Sequence, residues 1–162
     1  MTTVGDVIGE AKIRADMERS KFVSEAAWLK FYNNAFRQLY DLLVGCYQSY
    51  FLTPELITVA GGIGSASLPS DFYKLKGVDK AGLDYPVPSF NFEERNSEHM
   101  ELSYILGATT IDFVPKEKAD GSYTIWMVPK PTQAMTTSDI VPNVEGWEEH
   151  IVLGMAIRAL EK

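Results

Sequence analysis

Ser24-Glu25-Ala26-Ala27-Trp28-Leu29-Lys30-Phe31-Tyr32-Asn33-Asn34-Ala35-Phe36-Arg37-Gln38-Leu39-Tyr40-Asp41-Leu42-Leu43-Val44-Gly45-Cys46 is the stretch on which the fold turns. Ser24 reads as an N-cap, because its hydroxyl accepts from a free amide of the first turn, and Glu25 suits the positive end of the helix dipole. Trp28, Phe31, Ala35, Leu39, Leu42 and Cys46 recur at intervals of three and four, which keeps one apolar seam facing a partner helix. A second row, Phe36, Tyr40, Leu43 and Tyr47, lies beside the first, so the helix is expected to touch more than one neighbour. From Ser24 to Tyr50 it would be roughly 40 Å long at about 1.5 Å per residue.

Helices are expected on both sides of the remaining chain. Upstream, Thr2 or Thr3 caps a helix running to about Met17, with Val4, Ile8, Ala11 and Ala15 as its stripe. Downstream, Trp147 opens a helix carrying Ile151, Val152, Leu153, Met155, Ala156, Ile157, Ala159 and Leu160. That helix is apolar on most sides and needs more than one covering layer. No Gly or Pro stops it, so the natural product is expected to continue beyond Lys162.

Between these lies a stretch of short strands punctuated by Gly, Pro and Asp. Leu56–Val59 and Ser65–Leu68 flank Ala60-Gly61-Gly62-Ile63-Gly64 and are expected to form a hairpin, as are Thr109–Pro115 and Ser122–Val128 around Asp120-Gly121. Tyr73–Val78 follows the turn Pro69-Ser70-Asp71, and Tyr85–Phe90, with two prolines, reads as an edge strand or extended segment. In the last strand Tyr123, Ile125 and Met127 face one way and Trp126 and Val128 the other, so at least one sheet face is expected to be covered by the helices and the second by a partner or a neighbouring subunit. The fold class is α+β: a bundle of N- and C-terminal helices with a small antiparallel sheet inserted. The 162 residues fit one domain, helical over 3–50, β-rich over 51–141 and helical again over 144–162. The loops at 60–64 and 132–143 are the expected mobile parts.

Composition narrows the function. The formal charge is −7 and the pI about 4.8, and the densest basic stretch, Lys12 to Lys21, is interrupted by Asp16 and Glu18, which disfavours gripping phosphates. Cys46 is the single cysteine, placed in an apolar seam where a thiol is inert, so no intrachain disulfide or cysteine metal cluster forms. His99 and His150 lack a second histidine one turn away and read as surface residues. The glycines at 61–64 lead into a strand, whereas a phosphate loop feeds a helix N-terminus. No Gly-x-Ser-x-Gly elbow or convergent acid–base set occurs, so neither catalysis nor a cofactor is expected. No leader peptide or membrane span is read, and the product is expected to be cytosolic when made.

Three blocks carry a resemblance. They are Arg14-Ala15-Asp16-Met17-Glu18 with Phe22-Val23-Ser24 and Glu25 through Val44; Leu68-Pro69-Ser70-Asp71-Phe72-Tyr73-Lys74-Leu75-Lys76-Gly77-Val78-Asp79 with Phe92-Glu93-Glu94-Arg95-Asn96; and Gly146-Trp147-Glu148-Glu149 with the helix beyond. In this order they resemble the bacteriophage head-to-tail connector or adaptor proteins of the virion neck. The resemblance implies a ring, commonly of twelve copies, bound beneath the portal protein and continued by a tail or nozzle protein, with DNA passing through the lumen unbound. Negative charge lining such a channel would let phosphates slide. The residues expected at the portal or subunit interface are Trp147, Ile151, Met155, Trp126 and Arg95, although Arg95 also suits a local pair with Glu93. The competing readings are a sheet-dominated tail terminator or other neck protein, and a binding module or enzyme outside phages.

Overall fold

The computed structural model describes residues 2–47, 49–94, 101–142, 144 and 146–161. It contains three α-helices and two three-stranded antiparallel sheets, an α+β fold. The chain divides into two compact units, Met1–Tyr47 with Pro131–Lys162, and Gln48–Lys130.

The helical unit is built on α1 (Val4–Arg14), α2 (Glu25–Cys46) and α3 (Glu148–Leu160). Thr3 caps α1 in a reciprocal box: its hydroxyl accepts from the Asp6 amide, and the Asp6 carboxylate accepts from the Thr3 amide at 2.9 Å. The Thr3 hydroxyl, donating to the Asp6 carboxylate at 2.7 Å, and then the Thr3 amide favour the ionised carboxyl and hold the Asp6 pKa below its ordinary value. Ser24 caps α2 by accepting from the Ala27 amide. The seam that α2 buries is Trp28, Tyr32, Ala35, Leu39 and Leu43, widened by Phe36, Tyr40 and Val44. The expected row therefore holds at Trp28, Ala35 and Leu39 but departs at its far end. Leu42 and Cys46 are exposed and Leu43 and Val44 turn inward in their place, so the thiol does not lie in the core. The buried face is centred between the two apolar rows, taking in Tyr32, Phe36, Tyr40 and Leu43 beside the first, so Leu42 falls at its margin, and Cys46 is the last residue of the helix.

α3 lies antiparallel to α2, with Trp147 against Tyr47 at 6.4 Å between ring centroids and Gly154 over Ala35. An added Cβ on Gly154 would stand 3.2 Å from the Ala35 Cβ, so this glycine lets the helices approach. α1 packs on α3 as well, and Arg14 bridges Glu149 at 2.9 Å. The 132–143 loop, expected to be mobile, is instead tied down over much of its length. Val4 and Gly5 donate to the Asp139 and Thr137 carbonyls, Val141 donates to Thr2, and the Asn33 side chain both donates to and accepts from the Ala134 backbone. Asp139 holds the loop's own turn by accepting from the Met135 and Thr136 amides, which pulls its pKa down.

Beneath this strap Tyr32 is buried with a hydroxyl that finds no hydrogen-bond partner among the described residues. Burial first, and the Asp139 charge second, push its pKa up to about 12. A buried hydroxyl without a partner loses its solvation without return. Tyr32→Phe is therefore expected to raise stability, by about 1 kcal/mol, seen as a higher urea midpoint at unchanged slope.

The β unit pairs its strands differently from the two expected hairpins. β1 (Thr53–Val59), β6 (Gly121–Pro129) and β3 (Phe72–Lys80) form one sheet in the order β1-β6-β3, and β2 (Ser65–Ser67), β5 (Thr110–Val114) and β4 (Ser103–Leu106) the other in the order β2-β5-β4. The Gly61-Gly62-Ile63-Gly64 loop thus carries the chain from one sheet to the other. Gly61, Gly62 and Gly64 all take positive φ, near 70°, which lets the chain leave its strand plane. Likewise β5 and β6 lie in different sheets, separated by the short turn of 3-10 helix at Lys116–Lys118. The sheets face each other across a core of Val59, Val78, Ile111, Phe113, Tyr123, Ile125 and Met127, with Phe113 stacked on Tyr123 at 4.0 Å. The inward face of β6 is therefore covered by the second sheet. The extended segment after β3 closes one side, donating from Val87 to Val78 and exchanging backbone bonds with Tyr104 through Pro88 and Phe90.

Candidate docking surface

The interface residues nominated by sequence separate into distinct environments. Ile151 and Met155 are fully buried, together with Val152, Ala156 and Ala159, on the face of α3 that meets the other helices. Leu153, Ile157 and Leu160 point outward and stand 45%, 56% and 64% exposed. Spaced by four and three, they form one apolar stripe along the helix. The turn before α3 places Trp147: Gly146 takes a positive φ of 88°, and its amide donates to the Glu148 carboxylate at 2.8 Å. Trp147 keeps about a third of its surface open beside the half-exposed Tyr47, so an aromatic pair sits at the corner where α2 ends and α3 begins.

Trp126 is half-buried on the outward side of β6. Its indole N–H donates to the Asp79 carboxylate at 2.6 Å, and it lies across from Gly77 on the neighbouring strand. Its polar atom is thus already used within the sheet, leaving the ring edge for contacts. Arg95 and His99 lie outside the described residues. His150 is exposed on α3.

Catalytic arrangements have little to work with. A cleft of about 210 Å³ between α1 and α2 is lined by Gly5, Gly9, Lys12, Glu25, Trp28 and Thr137, with the Lys12 ammonium 5.9 Å from the Trp28 ring. It brings together no nucleophile with a base. Among the described residues no group of three or more His, Cys, Asp or Glu side chains is placed to hold a metal ion. Tyr123, whose pKa burial and then Asp120 raise to about 12, donates its hydroxyl proton to the Ala119 carbonyl inside the β core. Among the described residues no helix is long and apolar enough to cross a membrane.

An apolar and aromatic stripe exposed along a helix is the kind of surface that marks an interaction site. Residues 2–162 match the family described as SU10 adaptor protein, and the chain belongs to that family of structural phage adaptors. The comparison with curated protein sequences found no match. Membership places the chain among the virion's structural components, acting between its head and tail parts.

Proposed function

We propose that the whole chain acts as one adaptor module that assembles, as a ring of about twelve copies, beneath the portal and bridges it to the next tail or nozzle protein. DNA passes through the lumen without specific binding, favoured by a net charge of −7 on every copy. The protein works mechanically and makes or breaks no bond. The observation that carries this reading is the outward stripe Leu153–Ile157–Leu160 next to Trp147. Burying such a side chain is worth about 1.5–3 kcal/mol, and this chain leaves that energy unused. Trp147 and the stripe make the contact with portal or neighbouring copy, while Ile151 and Met155 fix the stripe from behind. Trp126 belongs to the platform that the β unit offers to the tail, and Arg95 is assigned to a subunit contact on the family's resemblance alone.

Trp147→Ala tests this directly. Large rings at the centre of an interface concentrate its energy, so truncation is expected to weaken ring assembly on purified portal by about 2 kcal/mol, roughly thirtyfold. Negative-stain images and co-sedimentation with portal measure it. Rings at wild-type yield and affinity would remove Trp147 from the interface.

A further inference from the structure

We infer that β1 is a strand-acceptor edge, completed in the assembled particle by an extended segment of a different virion protein. β1 pairs with β6 along all seven residues, from Thr53↔Met127 to Val59↔Gly121, without a register shift. Among the described residues no backbone hydrogen bond reaches its other side. Alternate residues of an edge strand aim their N–H and C=O groups outward, a template that only another extended chain satisfies. Leu56, 73% exposed, stands in the middle of it.

The other sheet edges are blunted. β3 carries two register shifts, and its Val78 carbonyl is taken by the Val87 amide at 2.7 Å. β4 is covered by Pro88–Phe90 through Tyr104, and β2 is three residues long. Bulges, covering segments and shortness are the usual guards of an edge. β1 has only Pro54 and Glu55 at one end, and Leu56-Ile57-Thr58-Val59 is left regular and rich in β-branched residues.

The geometry also selects the occupant. Among the described residues a second copy has no matching open edge to offer head to tail, and β1 paired with its own counterpart needs a two-fold axis that a ring of co-oriented copies lacks. The incoming segment is therefore foreign and extended, with an apolar or β-branched residue against Leu56. A basic residue near Glu55, the one charged side chain of the strand, complements it. This rests on the ring reading above.

The test places a photo-reactive benzoylphenylalanine at position 56 in phage, irradiates purified virions and locates adducts by mass spectrometry. Adducts on one extended segment of another virion protein are expected; adducts on copies of this chain alone, or none, overturn the inference. In parallel, Leu56→Lys, an exposed change, is expected to leave the fold and the ring on portal intact while tailed particles fall at least tenfold, a loss of about 1.4 kcal/mol or more. Wild-type tailing, or loss of the ring in this variant, contradicts it. Failure of the wild-type chain itself to form rings would instead overturn the ring reading, and the cross-link on intact virions still decides the edge.

Discussion

Leu153→Lys combined with Ile157→Lys is expected to leave the protein folded and to abolish its assembly. Both positions face outward on α3, about half exposed, and surface substitutions of this kind usually move stability by less than about 0.5 kcal/mol. Lysine is a good helix former, and here it falls four residues after Glu149 and four before Glu161, spacings at which opposite charges attract. The monomer's thermal midpoint should therefore hold or rise slightly. Within an interface the same change is severe. An ammonium removed from water without a partner costs several kcal/mol, and about 3 kcal/mol already exceeds a hundredfold in affinity. Sedimentation of the variant with portal should show free monomer only. A variant that unfolds, or one that still assembles at wild-type concentration, would each show that the stripe was misread.

Phe113→Ala carries the second large effect, on stability. Phe113 is fully buried on β5 and stacks on Tyr123 of β6, so its ring joins the two sheets. Emptying that site forfeits transfer energy and leaves a cavity between two hydrogen-bonded layers that cannot collapse freely. The expected cost is about 3–5 kcal/mol, a large share of the few kcal/mol that hold a domain together. Urea denaturation followed by tryptophan fluorescence measures it. A loss below about 1 kcal/mol would mean that the sheets do not depend on this stack.

The helices were legible in the sequence because their signals are local. Thr3 and Ser24 cap where the pattern begins, and Val4, Ile8, Ala11 and Ala15 are buried as their spacing demands. In β6 the alternation of Tyr123, Ile125 and Met127 was equally plain. Strand pairing was not, since it depends on where the chain goes after a turn. Gly61–Gly64 and Asp120-Gly121 read as hairpin turns, yet β1 and β2 find partners in different sheets, as do β5 and β6. Nothing local distinguishes a glycine loop that reverses a strand from one that changes layer.

The docking face shows a similar limit. α3 is apolar on both its buried and its open side, so hydrophobic periodicity identified a sticky helix without saying which side was free. Ile151 and Met155 were nominated, while Leu153, Ile157 and Leu160 are the residues that stand outward. A weaker signal was available. Glu149, Leu153, Ile157 and Glu161 follow one another at intervals of four, so charge marks both ends of the outward row.

A cryo-EM reconstruction of the virion neck tests the central claim most directly. We predict a ring of copies of this chain under the portal, with Leu153, Ile157 and Trp147 of each copy buried against portal or neighbour. A neck in which these side chains face open solvent, or in which the chain sits as a single copy, would contradict it.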